Sequence, residues 1–308
     1  MAKSLRIGSL IDVDRSLADT VAQLRRFAEG GLDHAFAVQI FGPDALSLLA
    51  AAGAQVPGIG LGTGVVPVYP RHPMMLAQQA LTVQLATANR LILGIGLSHQ
   101  VVVEGMWGMS FEKPARYMKE YLAALMPLLH GEKVDVEGER LTTHAFAPLE
   151  VRDVSAPPVL VAALGDTMLK LAGRVADGTV TWMTGISTIE SHIAPVIRAA
   201  AKKAGRPAAP RIAVSLPISV TADIDAACER INEEFAIYPN LPSYKAMLDK
   251  EGANCAADVA IVGDEDSVRA SLDKLAAAGA TDFVASIVGT REERDRTFAL
   301  LSEIARSG

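Results

Sequence analysis

The chain predicts an α/β fold, a (β/α)8 TIM barrel with insertion segments. Three observations carry the expectation. Strand-like and helix-like patterns alternate along all 308 residues. No linker rich in Ser, Pro or charge interrupts them, so 1–308 reads as a single barrel domain. Between Gly60 and Gly105, two short apolar strands ending in glycine bracket one helix. Strands joined by crossover helices run parallel, and eight in one rhythm close most simply into a barrel. A doubly wound open sheet is the alternative that the same rhythm admits.

Taken in order, residues 5–10 read as the first strand, and 17–29 as an amphipathic helix stopped by Gly30 and Gly31. Residues 35–40 form the second strand and 44–52 a helix with Pro43 at its first turn. The third strand is 59–61, followed by a helix at 72–88. The fourth strand is 91–95, followed by a long helix at 111–130 closed by Gly131. Short β runs at 133–136 and 140–143 flank Glu137-Gly138, a hairpin-type turn, so about 133–148 reads as an insertion between barrel units. Strands at 159–163 and 179–183 then alternate with helices at 167–176 and 188–204. Residues 211–220 are a strand rich in β-branched side chains. Helices at 225–237 and 244–251 are separated by Pro239 and Pro242. Helix 267–278, strand 283–287 and helix 292–306 close the chain.

Half the residues are hydrophobic and 5% aromatic, which predicts a large core of Ala, Leu, Val and Ile. A net charge of −6 argues against general nucleic-acid binding, which needs a basic face. Cys228 and Cys255 lack metal-ligand spacing and read as plain buried thiols of a reducing compartment. The start, M-A-K-S-L-R-I-G-S-L, lacks the apolar run of a signal peptide, and no run reaches the roughly 18 residues that cross a bilayer. The expectation is a soluble cytoplasmic protein acting on a small molecule, with neither nucleic acid nor membrane as partner.

In a parallel barrel, ligands meet the C-terminal ends of strands. The candidates are Gln39-Ile40-Phe41, Thr63-Gly64-Val65-Val66, Gly96-Leu97-Ser98-His99, Ala162-Ala163-Leu164-Gly165 and Thr184-Gly185. These segments hold no paired carboxylate, H-E-x-x-H, Cys/His cluster or G-x-S-x-G, so no metal site is expected. A wall of backbone amides and aliphatic groups suits a flat ring system, with the reactive group brought in by a cofactor. Gly94-x-Gly96 lacks the third glycine and the acidic residue of a dinucleotide fingerprint. Gly165 leads into a helix, and with Thr184-Gly185 it offers amide groups to an anion; Asp166 reads as that helix's N-cap, facing away. His99, which titrates near neutrality, is the candidate general acid. Phe41, Met106 and Trp107 are candidate substrate walls. His72 reads as a helix-terminal residue and His34 as structural, at the opposite end. Trp182 and Met183 could pack beside a cofactor or in the core.

These segments resemble the bacterial luciferase-like superfamily, and within it the coenzyme F-420-dependent oxidoreductases. The likeness rests on F-A-V-Q-I-F-G-P-D-A-L at 36–46, G-T-G-V-V-P at 62–67 and R-H-P-M-M-L-A-Q-Q-A at 71–80. It extends through N-R-L-I-L-G-I-G at 89–96, V-A-A-L-G at 161–165 and A-D-G-T-V-T-W-M-T-G at 176–185. The resemblance implies a non-proline cis peptide at Gly64-Val65 behind a deazaflavin ring. It implies a cofactor phosphate on Ala162, Ala163, Leu164, Gly165, Thr184 and Gly185, with Gln39, Thr63, Ser98 and His99 also beside the cofactor. It implies a homodimer too, for which the apolar Met74-Met75-Leu76 face could serve. Arg71, Lys170 and Arg174 could attract the acidic tail of F-420.

One departure is chemical. Relatives that oxidise alcohols or sugar phosphates carry an acid or His at the end of the second strand, with a Trp close behind; here Gln39 and Phe41 stand there. Gln takes no proton, which favours reduction of an activated C=C or C=N bond over alcohol oxidation. An FMN-dependent monooxygenase and a non-catalytic flavin-binding barrel are the competing readings.

Overall fold

The computed structural model describes residues 5–12 and 15–307. In its first half run β1 (Arg6–Leu10), α1 (Leu17–Gly30), β2 (His34–Ala37), α2 (Ala45–Gly53), β3 (Gly60–Thr63), β4 (Val66–Pro67), α3 (Pro73–Ala86) and β5 (Leu91–Gly96). There follow α4 (Gln100–Gly105), α5 (Pro114–Leu129), the pair β6 (Val134–Glu137) and β7 (Thr142–Ala145), then β8 (Val159–Ala162), α6 (Asp166–Val175) and β9 (Gly178–Trp182). The short α7 (Ile186–Thr188) runs through a π-helical turn, Ile189–Ile193, into α8 (Ala194–Lys203). Then come β10 (Arg211–Val220), α9 (Ile224–Glu234), α10 (Pro242–Glu251), β11 (Ile261–Gly263), α11 (Glu265–Ala277), β12 (Asp282–Ile287) and α12 (Arg291–Ser307).

The strands close in the order β1-β2-β3-β5-β8-β9-β10-β12, with β12 returning to β1, and every pairing in the ring is parallel. This is the eight-stranded barrel, not the open sheet. β4 pairs with the upper end of β5, and β11 adds to the upper half of β10. Inside the barrel, Phe36, Ile92, Leu160, Val180, Ala213 and Val284 form one apolar cluster. A much larger cluster fills the layer between strands and helices. Alternating side chains of each strand feed these two cores in turn, as a period of two requires.

Several boundaries depart from the sequence expectation. β2 ends at Ala37, three residues early, because the chain turns off there and the Gly64 N–H takes the Ala37 carbonyl (2.9 Å). The expected hairpin exists, β6 antiparallel to β7, but its register leaves 138–141 as a four-residue turn. Glu120 of α5 explains the wider turn: its carboxylate accepts the backbone N–H groups of Glu139, Arg140 and Leu141 at 2.8–3.1 Å. β11 and α4 had no forecast, being too short to show periodicity. Cys228 and Cys255 are free and half-buried rather than buried. Among the described residues no helix is long and apolar enough to cross a membrane.

Candidate active site

The C-terminal ends of the barrel strands form a mouth whose floor is apolar. Leu10 ends β1, Val65 follows β3 and Ala162 ends β8; all three rest partly exposed on the barrel's inner cluster. The Gly64–Val65 peptide is cis. Around it, glycine serves internal packing as much as ligand approach. A Cβ on Gly94 would strike the Thr63 carbonyl, and one on Gly96 would lie 2.7 Å from Val65 Cγ2 and 3.3 Å from Ala162 Cβ. The two glycines of β5 therefore make room for the Gly64–Val65 turn. Thr63 is fully buried, its hydroxyl donating to the Gly94 carbonyl (2.7 Å) and accepting the Gly94 N–H (2.8 Å), so it stitches β3 to β5. It holds the floor in place from beneath.

Beside the floor, Ser98 leaves β5 in a left-handed turn (φ 62°) that delivers His99 to the start of α4. The His99 ring lies 5.6 Å from Tyr244, which packs at 5.1 Å on Tyr238; Tyr238 in turn meets Trp182 at 5.7 Å. An aromatic wall thus runs from the exit of β5 to the exit of β9, built by the segment before and within α10. Burial pushes the His99 imidazole below its ordinary value. At neutral pH it is the free base, and its protonated form belongs to the acid side.

The two glycine turns behave differently. Gly165 is the exposed N-cap of α6, has no side chain to cap the helix, and has nothing within 4 Å of where a Cβ would stand. Asp166, expected as the cap, is instead the first helical residue and turns toward Lys170 (2.9 Å) and His192 (3.7 Å). The Nε2–H of His192 donates to the Leu164 carbonyl (2.8 Å) and fixes this turn from α8's side. Ala163 is buried, whereas Ala162 and Leu164 remain partly open. At the other turn, Thr184 and Gly185 are buried. The carboxylate of Glu251, the last residue of α10, packs against Gly185 and accepts from Ser187 N–H (3.0 Å), Thr188 N–H (2.7 Å) and the Thr188 hydroxyl (2.6 Å). Glu251 already holds the place where an anion was expected.

Across the mouth, Gln39 is half-buried and Phe41 is 76% exposed. Met106 on the far side is also exposed, while Trp107 packs on the core edge. Arg71 bonds to Gln39 and to Asp44, the N-cap of α2. His72 caps α3 by accepting the Met74 N–H (3.3 Å). Lys170 is engaged by Asp166 and Arg71 by Asp44, so neither is a free cation at the surface. Glu251, His192, Tyr238 and Tyr244 escaped the sequence reading because each reaches the mouth from a helix or turn far along the chain. Two pockets lie elsewhere: a shallow one of about 590 Å³ on the outer face of α12, and one of about 180 Å³ among Pro158, Asp177 and Arg211 at the opposite end of the barrel.

The arrangement fits a flat heterocycle carrying a phosphate. The floor side chains of Leu10, Val65 and Ala162 are aliphatic, and Gly165 opens an uncapped helix start to an anion. Known proteins share this fold. Over 222 residues the chain is 31% identical to the 5,10-methylenetetrahydromethanopterin reductase of Methanolobus tindarius, covering 71% of this chain and 66% of that one. Its fold matches a coenzyme F-420-dependent tetrahydromethanopterin reductase from Methanopyrus kandleri with a TM-score of 0.81 at 23% identity, covering 97% of both chains. It also matches the oxygenating component of a Pseudomonas putida 3,6-diketocamphane monooxygenase in complex with FMN, with a TM-score of 0.75 at 18% identity, covering 98% and 97%. The profile of the luciferase-like monooxygenases matches residues 4–293, and the chain belongs to that family.

Proposed function

We propose that this protein is an oxidoreductase that binds coenzyme F-420 and works in the direction of reducing an activated C=C or C=N bond of a small organic substrate. The observation that carries the reading is the mouth itself: an apolar floor of Leu10, Val65 and Ala162 beside an uncapped helix turn at Gly165. The F-420-dependent reductase of Methanopyrus kandleri has this fold, and the reductase of Methanolobus tindarius is a relative in sequence.

In this reading the ring would rest on Val65 and the phosphate on the amides opened by Leu164-Gly165. The coenzyme, once bound, supplies the hydride. The chain orients it, excludes water with the Trp182–Tyr238–Tyr244 wall, and leaves proton delivery to water or to His99. His99 can give a proton readily only on the acid side of neutrality, because burial lowers its affinity for one. A rate that rises as pH falls toward the His99 titration, and loses that rise in His99→Gln, would identify it as the donor.

The deciding experiment is a titration of cofactor-free protein with F-420 and FMN, read by tryptophan quenching. F-420 is expected to bind at least tenfold tighter, a difference of about 1.4 kcal/mol. The FMN-bound camphane monooxygenase supports a second reading, an FMN-dependent monooxygenase. Tight FMN binding, with dioxygen consumed when the FMN is reduced, would establish that reading instead.

A further inference from the structure

Gln39 follows β2 at the end where the strands finish, and the orientation of its amide is fixed. Its side-chain oxygen accepts two hydrogen bonds, from Arg71 Nη2 and from the Ala45 N–H, both at 3.1 Å. Only the carbonyl end of the amide can accept two donors, so the assignment of O and N follows from the network. Three elements hold that network rigid. Arg71 pairs with Asp44, whose other oxygen accepts the Ser47 N–H (2.8 Å) and Gln79 Nε2 of α3 (3.1 Å). The Tyr121 hydroxyl of α5 holds the Arg71 carbonyl (2.9 Å). The Gln39 NH2 group, in contrast, has no acceptor among the described residues. Two residues upstream, the Ala37 carbonyl takes the Gly64 N–H (2.9 Å), which sets Gln39 beside the Gly64–Val65 turn at the edge of the floor.

We propose that Gln39 selects substrates by presenting its NH2 as a hydrogen-bond donor, so that the site takes ligands with an acceptor atom, a carbonyl oxygen or imine nitrogen, and rejects those offering a donor there. The inference rests on the oxidoreductase reading and narrows its substrate class. Arg71 is a positioning residue: by occupying the amide oxygen it prevents the flip that would present an acceptor. A site of this kind discriminates because the wrong ligand sets donor against donor and leaves both unpaired.

The test compares two flat probes of similar size, acetophenone (an acceptor only) and benzylamine (an ammonium donor at neutral pH). Each is titrated into the protein with and without F-420, and Trp107 and Trp182 provide the fluorescence. Wild type is expected to bind acetophenone about tenfold tighter than benzylamine. Gln39→Leu is expected to erase the preference, Gln39→Glu to reverse it, and Arg71→Met to weaken it by releasing the amide. The Gln39 variants should remain folded, as their melting curves will show, and the preference is read as the ratio of the two probe affinities at each variant's own F-420 saturation. An unchanged preference in Gln39→Leu and Gln39→Glu overturns the proposal, as does a wild type that takes up the cofactor but neither probe. Failure to bind F-420 or FMN at all would instead count against the oxidoreductase reading.

Discussion

The two ends of this barrel solve opposite problems. At the end where strands begin, charge is concentrated and paired. Asp282, fully buried at the start of β12, receives Arg6 at 2.7 and 2.8 Å and Arg211 at 2.6 and 3.2 Å, and the Thr281 hydroxyl at 2.6 Å. His34 lies 3.9 Å from it, edge-on to Phe36. At the end where strands finish, the floor side chains are aliphatic, and among the described residues the carboxylates of Asp44 and Glu251 are taken up by helix N–H groups while Asp12 pairs with Arg15. A search for clustered titratable groups would therefore point to the wrong end. The ionic cluster closes the barrel; the mouth, with its aliphatic floor, is left for the cofactor proposed above.

The comparison breaks most visibly at Asp282. Its burial alone would raise the carboxyl's proton affinity, but the hydrogen bonds and charges of Arg6 and Arg211 outweigh this and hold it far below the usual range. Asp282→Ala strands two guanidinium groups that share this one carboxylate, and is expected to cost about 3–5 kcal/mol in urea unfolding. A loss below about 1 kcal/mol would mean the cluster is a surface feature with little share in stability. The same end sets the acid limit. Burial lowers His34 to about 4, whereas an unfolded His protonates near 6.5. Between those values the unfolded chain takes a proton that the folded one refuses, so stability falls as pH drops from about 6.5 to 4, by roughly 3 kcal/mol in total. Below that window the depressed Asp282 continues the loss, since its contribution disappears as the carboxylate protonates. His34→Asn should flatten the upper window and leave the lower one, as seen in urea midpoints across pH.

The sequence showed the rhythm of this fold far better than either end of it. Eight parallel strands follow from alternating patterns that local side chains dictate, and the Gly64–Val65 turn and Gly165 follow from short motifs. The Asp282 cluster could not be read, because Arg6 and Asp282 stand 276 positions apart and meet only once the barrel closes. Gly96 stands in a segment expected to meet a ligand, yet it and Gly94 make room for Val65 and Thr63. Strand endings reveal that a side chain is missing but not which neighbour needs the space. Glu251 carries no local signal at all: a Glu ending a helix is ordinary until α10 folds back over β9's exit.

Glu251 gives the mouth its larger test of stability. Glu251→Ala removes three hydrogen bonds to a half-buried carboxylate and should cost about 1–2 kcal/mol. It also frees the amides of Ser187 and Thr188, so affinity for a phosphate-bearing cofactor should hold or rise. A fall in that affinity would show that Glu251 supports the site rather than fills part of it.

The smallest effect on folding belongs to Gly165, and there stability and binding should move in opposite directions. Its backbone (φ −85°, ψ 155°) suits any residue, and a Cβ would meet nothing within 4 Å. Gly165→Asp would place a good N-cap at the uncapped start of α6 and raise stability by a few tenths of a kcal/mol. The same carboxylate would occupy the amide groups proposed for the cofactor phosphate and repel it, as Glu251 already does at the neighbouring turn. F-420 affinity should fall about tenfold or more while the melting temperature holds or rises. Gly165→Ala separates the two causes: it adds bulk without charge, so its loss of affinity should be the smaller. If Gly165→Asp binds F-420 as tightly as wild type, the phosphate does not sit on α6, and the mouth's two glycine turns are both structural.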